Sequence, residues 1–156
     1  MRSIRVYVDT SVFGGTQDEE FANKSNRFFD QVRNGKYIVL LSDETLRELS
    51  TAPEPVRQIW RDLPPKFVEE ISLDNEIIEL SEAYIKADVL VASSVSDAIH
   101  VTSATVAGAD LILSWNFKHI VNFDRIRGFN SVNTQFGYRH LTILSPMEVD
   151  DGDEGR

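Results

Sequence analysis

Cysteine is absent from the 156-residue sequence, which excludes disulfide bonds and thiolate metal sites. Long hydrophobic runs are missing too, because no apolar stretch approaches the roughly 20 residues that a membrane-spanning helix needs. The segment Met1–Arg5 leads directly into a predicted strand and contains no signal-peptide hydrophobic region. We therefore expect one cytoplasmic domain without a membrane segment, of a length that can bury a sizeable core.

Positive charge is scarce, since 16 Lys and Arg side chains stand against 25 Asp and Glu, a net charge of −9. Nucleic-acid binders are usually basic, so this balance argues against such a partner. The distribution weakens that objection, because the segment Met147–Arg156 holds five acids and one arginine. That segment accounts for −4 and leaves −5 for the rest of the chain. We expect a domain at 1–147 and an acidic, disordered tail at 148–156, which has nothing to bury.

Short apolar runs alternate with helical patterns along the chain. Strands are predicted at Ile4–Val8, Tyr37–Leu41, Leu111–Ser114 and Leu141–Leu144, with a weaker candidate at Phe67–Ile71. Helices are predicted at Glu20–Asn34, Glu44–Ser50, Val56–Leu63, Asn75–Ala87 and Asp97–Ala107, with one or two more within Phe117–Phe136. This order predicts an α/β fold, a three-layer α/β/α sandwich with a central, mainly parallel sheet.

Three apolar segments each run into an acid or its amide. The first strand is followed by Asp9, a later apolar segment by Asp97, and a further strand by Asn116. The carboxyl ends of parallel strands are where separate pieces of sequence meet to build a site. Glu48, in the helix after the second strand, would join them. We prefer it to Glu44 because it lies further from the strand end and can reach back across the sheet.

Each of these residues also has a structural explanation. Asp9 and Asp97 could cap or begin helices, where Asp is common and the helix dipole favours negative charge. Asn116 could be the N-cap of a helix, and Glu48 an exposed helical charge. Convergence favours a site, because capping does not require it. Two carboxylates about 4 Å apart repel by roughly 4 kcal/mol at an effective dielectric near 20, and a hard divalent cation such as Mg²⁺ compensates for that repulsion.

The histidines and basic residues carry weaker signals. His100 lies one turn after Asp97, and we interpret it as a hydrogen-bonded histidine of the core rather than a metal ligand. His119 and His140 show no partner pattern, and the lack of His-Glu-x-x-His argues against a zinc protease. Lys118 and Arg125, close behind the last strand end, are the best candidates for contacts with a phosphate backbone.

The order and spacing of these motifs resemble the PIN-domain family, including VapC-type toxins. The resemblance covers nearly the whole chain to Glu148. It is carried by the segments Val8–Val12, Glu44–Leu49, Ser96–Val101, Leu111–Ile120, Gly137–Tyr138 and Ile143–Glu148. The fourth of these is similar to a branch of the family with Thr-Trp-Asn in place of the usual Thr-x-Asp, and here it reads Ser114-Trp115-Asn116.

The resemblance implies a PIN fold and a Mg²⁺- or Mn²⁺-dependent ribonuclease that hydrolyses RNA phosphodiester bonds. The implied metal ligands are Asp9, Glu48 and Asp97. Thr10 or Ser11 would supply a nearby hydroxyl at the substrate, and Asn116 would be the fourth catalytic position. A homodimer and a small antitoxin protein are the implied partners. Because an amide brings no charge where most of the family has a fourth acid, one metal site should be intact and a second weaker.

Two other classes of protein stay open. A catalytically weak PIN-like module that binds RNA or a protein is favoured by Asn116 and by the acidic balance. A phosphotransfer enzyme of another α/β family is less consistent with the residues. A haloacid-dehalogenase-type phosphatase requires a second Asp two residues after the first, where Ser11 stands, and no acidic pair of the response-regulator kind precedes a strand.

Overall fold

A computed structural model of the chain describes residues 2–149. Its strands are β1 (Ile4–Val8), β2 (Tyr37–Ser42), β3 (Val68–Ile71), β4 (Leu111–Leu113) and β5 (Thr142–Leu144). Its α-helices are α1 (Thr10–Gly15), α2 (Ala22–Arg33), α3 (Asp43–Ser50), α4 (Glu54–Arg61), α5 (Asn75–Lys86), α6 (Val95–Val106), α7 (Phe123–Gln135) and α8 (Pro146–Val149). Short 3₁₀ turns precede β3 and α6. Every predicted strand is found, including the weaker candidate.

The five strands form one parallel sheet in the order β3-β2-β1-β4-β5. Helices cover both faces, and each face has its own apolar core. Successive side chains of β1 point to opposite faces, so Tyr7 packs against α5, α6 and α7, whereas Val6 and Val8 pack on the other side with α1 to α4. The predicted three-layer α/β/α architecture is confirmed.

The strand order reverses at the centre of the sheet. The chain moves outward from β1 to β3, then crosses back and builds β4 and β5 on the other side of β1. Open α/β sheets bind ligands at such a reversal, beyond the carboxyl ends of the strands. The residue that follows β1 is Asp9, and its N–H donates to the carbonyl of Leu113 at 3.0 Å. The ladder between β1 and β4 therefore holds Asp9 at this position.

Helix α1 was not predicted. It has only six residues and contains Gly14 and Gly15, which disfavour helix by about 1 kcal/mol each relative to Ala. Gly15 is required by packing, because a Cβ there would lie 2.6 Å from Ser25 Oγ and 2.7 Å from Trp115 Nε1. The glycine lets α1 approach the loop that follows β4.

The prediction of one or two helices within Phe117–Phe136 is confirmed by one helix, α7, which follows a hydrogen-bonded turn. Asn122 sets the start of α7, since its Oδ1 accepts a hydrogen bond from Arg125 N at 2.9 Å. Asn116 Oδ1 accepts from His119 N at 2.9 Å. Asn116 therefore caps the turn and not a helix.

Helix α8 crosses the predicted domain end at 147. Glu148 Oε1 accepts hydrogen bonds from Ser145 N at 3.2 Å and Ser145 Oγ at 3.1 Å. The bond to Ser145 N is the half of a capping box in which a glutamate satisfies the N–H that precedes a helix. The first two residues of the predicted tail 148–156 are thus helical, and the others lie outside the described residues. None of the helices within 2–149 has the length and apolar character needed to cross a membrane.

Candidate active site

Asp9 stands at the N-cap position of α1, but its side chain does not cap the helix. Its Oδ2 accepts hydrogen bonds from Ser11 Oγ at 2.7 Å and from Ser114 Oγ at 2.8 Å. Its Oδ1 lies 3.5 Å from His100 Nε2. The residue is only 5% exposed. Hydroxyls that follow β1 and β4 therefore hold the carboxylate toward α6, at the reversal of the strand order.

Glu48, on α3, also reaches this position. Its Oε1 accepts hydrogen bonds from Thr10 Oγ1 at 2.8 Å and from His100 Nε2 at 2.6 Å. Glu44, one turn earlier, instead accepts from Arg47 Nε at 2.6 Å. Burial alone would raise the pKa of Glu48, but the hydrogen bond and the charge of His100 hold the pKa below its usual range. Glu48 is therefore the glutamate of α3 that joins Asp9 through His100.

His100 is buried on α6 and connects three elements. Its Nδ1 lies 2.7 Å from the hydroxyl of Tyr7, which in turn lies 2.7 Å from Ser42 Oγ. Burial opposes the charged imidazole, yet Tyr7, Asp9 and Glu48 raise the pKa of His100 well above its usual value. The imidazole stands between two carboxylates, and in its charged form it offsets part of their mutual repulsion.

Asp97 lies in the first turn of α6, which starts at Val95 and not at Asp97 as predicted. Its Oδ1 accepts from Asn116 Nδ2 at 3.1 Å, and its Oδ2 lies 3.0 Å from His119 Nδ1. Burial is the main cause that raises the pKa of Asp97, and the negative charge of Asp9 raises it further. Asn116 N also donates to Ser114 Oγ at 2.9 Å, and that hydroxyl donates to Asp9. Hydrogen bonds through Asn116 and Ser114 therefore connect Asp97 to Asp9, and Asp97 belongs to the same site.

Tyr7, Ser114 and His119 are parts of the site that sequence reasoning missed. Tyr7 lies in β1, two residues before Asp9, which follows the strand. The period-2 alternation of side chains places both on one face of the sheet. His119 stands three residues after Asn116, so a turn capped by that amide brings its imidazole to Asp97. These two spacings are present in the sequence and could have indicated Tyr7 and His119.

The four residues predicted to contact substrate have different surroundings. Thr10 and Ser11 donate their hydroxyl hydrogen bonds to Glu48 and Asp9. Lys118 is exposed. Arg125 is part-buried and donates through Nη1 to the carbonyl of Val89, which ties α7 to the loop before α6.

A divalent cation fits the chemistry of this donor set. Within 2–149, no group of three or more His, Asp or Glu side chains is arranged to hold a metal ion. Glu48 is bonded to His100, and Asp97 is bonded to His119. Mg²⁺ does not require such a group, since it is commonly held by one or two carboxylates together with waters and phosphate. Asp9 and Asp97 are two such oxygen donors, and the full set with Glu48 stays a prediction.

No protein-family model matches the sequence, and no curated protein matches it either. Solved structures do match. The chain is similar to one in the crystal structure of VapBC2 from Rickettsia felis bound to a DNA fragment from their promoter, with a TM-score of 0.57, 10% identity, and coverage of 91% of this chain and 98% of the other. It is also similar to a chain of FitAcB from Neisseria gonorrhoeae, with a TM-score of 0.55, 11% identity, and coverage of 92% and 99%.

A third similar chain comes from FitAB bound to an IR36 DNA fragment, with a TM-score of 0.57, 11% identity, and coverage of 94% and 99%. At these identities the likeness shows the fold alone. The chain is an α/β protein with a five-stranded parallel sheet, consistent with the expected PIN-like fold, and its acids meet where the strand order reverses.

Proposed function

We propose that this protein is a divalent-metal-dependent ribonuclease. The observation that carries the proposal is a set of contacts around the reversal of the strand order that joins three acids from three segments of the chain. Asp9 is linked to Glu48 through His100 and to Asp97 through Ser114 and Asn116. Carboxylates held near one another against their repulsion are the oxygen ligands that hard divalent cations use. The fold shared with chains of VapBC2 and FitAB supports the proposal at the level of architecture.

In the proposed mechanism Asp9 and Asp97 would hold Mg²⁺ or Mn²⁺, which when bound would supply a water of lowered pKa and neutralise charge on the phosphate. Glu48 would accept a hydrogen bond from the attacking water, because His100 and Thr10 already fix its carboxylate. Asn116 keeps Asp97 directed at the cleft through its amide N–H.

The direct test is Asp9→Asn, assayed for cleavage of RNA with Mg²⁺ or Mn²⁺. The amide oxygen can still accept from the neighbouring serines, so the fold should be retained. We expect cleavage to fall by about a hundredfold, the size typical for loss of one electrostatic catalytic group. Asp30→Asn is the control, since Asp30 is exposed on α2. Unchanged cleavage by Asp9→Asn would overturn the assignment.

A catalytically weak module that binds RNA or a protein is the second candidate. Asn116 favours it, because both ends of its amide are already hydrogen-bonded, to His119 N and to Asp97. Titration with metal separates the two functions. Mg²⁺ at 100 times its dissociation constant adds about 2.7 kcal/mol if it binds only the folded state. No thermal shift with Mg²⁺ or Mn²⁺, together with no cleavage, would favour the binding module.

We further propose that the chain is the toxin of a toxin-antitoxin pair, with a small antitoxin partner and a homodimeric state. The resemblance to VapC-type toxins supports this, as do the VapBC2 and FitAB assemblies that contain similar chains. Co-expression with the product of the neighbouring upstream gene would test the pairing, and light scattering of the purified chain would test the dimer. Cytoplasmic location stays a prediction.

A further inference from the structure

Two exposed phenylalanines flank the turn that follows Asn116. Phe117 is 46% exposed and Phe123 is 72% exposed. Full burial of a phenylalanine side chain is worth about 1.5–3 kcal/mol, and these two rings forgo much of it. A single exposed apolar residue needs no explanation. Here, however, Phe117 directly follows the site amide Asn116, and Phe123 lines a cavity together with Lys118 and Arg125.

Hydrogen bonds fix the turn between the two rings. Asn122 Nδ2 donates to the carbonyls of Phe117 at 3.0 Å and Lys118 at 2.7 Å. Two further backbone N–H groups of the turn donate to the carbonyl of Asn116, at 3.1 and 2.8 Å. The amide of Asn116 in turn donates to Asp97. The turn is therefore held by several hydrogen bonds, and Asn116, directly before it, is bonded to Asp97.

An open cavity of about 520 Å³ lies beside this turn. It is lined by Lys118, Asn122, Phe123, Asp124 and Arg125. Its volume is in the range of ligand pockets, about 300–1,000 Å³. The lining contains two cationic side chains and one acidic side chain, so it is net positive, whereas the whole chain is net negative. A third cation, Arg127, lies over one face of the Phe123 ring, with its guanidinium carbon 5.4 Å from the ring centroid. Because Phe123 is 72% exposed, the opposite face is the one that a base would meet.

We propose that this turn is a subsite for single-stranded RNA, in which an unpaired base stacks on Phe123 and a neighbouring phosphate pairs with Lys118. The inference rests on the proposed function, because it leads the substrate strand past Asp97. Aromatic rings and cations together are how proteins hold single strands without reading their sequence. The stacked bases of a duplex do not offer their faces to a ring, so the subsite selects unpaired RNA.

The test measures binding of a short fluorescein-labelled single-stranded RNA by anisotropy, with the full chain carrying Asp9→Asn so that the probe survives. We expect Phe123→Ala to weaken binding by about tenfold, within the range measured for loss of one stacked base. Phe123→Tyr should restore it, because the ring is kept. The matched control is Phe136→Ala, which removes another exposed phenylalanine, 54% exposed, just beyond the far end of α7. It should leave the affinity unchanged.

An unchanged affinity of Phe123→Ala, or an equal loss in Phe136→Ala, would overturn the subsite. So would duplex RNA of the same sequence that binds as tightly as the single strand and depends equally on Phe123. The nuclease proposal fails separately. If the native chain does not cleave RNA but binding still depends on Phe123, the subsite stands and the nuclease falls. If the chain cleaves RNA and Phe123→Ala leaves KM unchanged, the nuclease stands and the subsite falls.

Discussion

The candidate site has two halves that contain the same parts, a carboxylate bonded to an imidazole, in different surroundings. In the buried half, Glu48 is bonded to His100, whose side chain is 2% exposed. In the open half, Asp97 is bonded to His119, whose side chain is 27% exposed. The buried half is held by residues of β1, β2, α3 and α6, whereas the open half depends on one capped turn.

The difference indicates a division of roles. A carboxylate with locked partners keeps one orientation, which suits the positioning of a water molecule. The carboxylates themselves differ little in exposure, 32% for the Glu48 side chain and 22% for the Asp97 side chain, so the two halves differ in their imidazoles. The imidazole of His119, which is near solvent, can turn away and release Asp97 to a cation or a phosphate. We therefore interpret Glu48 as the orienting group and Asp97 as the group that meets metal and substrate, with Asp9 between them.

The largest expected effect is on stability, from His100→Ala. This change leaves buried carboxylate oxygens without their partner and opens a cavity, so we expect a loss of about 3 kcal/mol or more. His119→Ala is the matched change in the open half and should cost no more than about 1 kcal/mol, since solvent reaches that pair. Urea unfolding measures both. Equal losses would contradict the contrast between the halves.

His100 should also make the stability of the fold depend on pH. The folded-state pKa of His100 is raised above its ordinary value of 6.5 by Tyr7, Asp9 and Glu48 against the effect of burial. Its contribution to stability is therefore complete below the unfolded pKa and is lost as pH rises through the folded pKa. Urea unfolding from pH 6.5 upward should show falling stability in the native chain. The slope should flatten in His100→Ala, and an identical slope would contradict this assignment.

A smaller effect is expected from Tyr7→Phe. The ring stays in the core, but the hydroxyl that contacts Ser42 and His100 is lost, which leaves buried polar atoms unsatisfied. The expected cost is about 1–3 kcal/mol. Cleavage should also weaken, because His100 loses one of the contacts that aim it at Glu48. Tyr37→Phe, in β2 on the opposite face, is a comparison in a ring that does not contact His100. A loss in Tyr37→Phe alone would argue against the chain of contacts from Ser42 through Tyr7 to His100.

The smallest stability change is expected from Asn116→Asp. A carboxylate in place of the amide removes a donor to Asp97 and adds repulsion, which solvent screens to about 1 kcal/mol. Mg²⁺ or Mn²⁺ should recover that loss and give a larger thermal shift than in the native chain. Asn34→Asp, at an exposed position beyond α2, should show neither effect. A loss that metal does not recover would argue against a cation at this position.

Much of the fold follows from local pattern. The strands are short runs of β-branched and apolar residues, and the parallel order follows from the helices between them. Helix α1 does not follow from pattern, because Gly14 and Gly15 disfavour helix locally. Its glycines are required by Ser25 and Trp115, which are distant in sequence. The position of α1 therefore depends on packing between segments that are distant in sequence.

The site was predictable to a similar extent. The rule that strand ends converge indicated Asp9, Asp97 and Asn116, and the structure brings these residues together with Glu48. The hydrogen bonds of each acid were not predictable. The position of Asn116 depends on Trp115, whose Nε1 donates to Ser25 Oγ at 2.8 Å. Such long-range contacts leave no period or spacing in the sequence.

The most direct test of the proposed metal site is the location of Mn²⁺ in crystals of the native chain, read from its anomalous scattering. We expect a peak between the carboxylates of Asp9 and Asp97, and no such peak in crystals of Asp97→Asn. A peak elsewhere on the molecule, or none at a Mn²⁺ concentration that supports RNA cleavage, would contradict the proposed metal site.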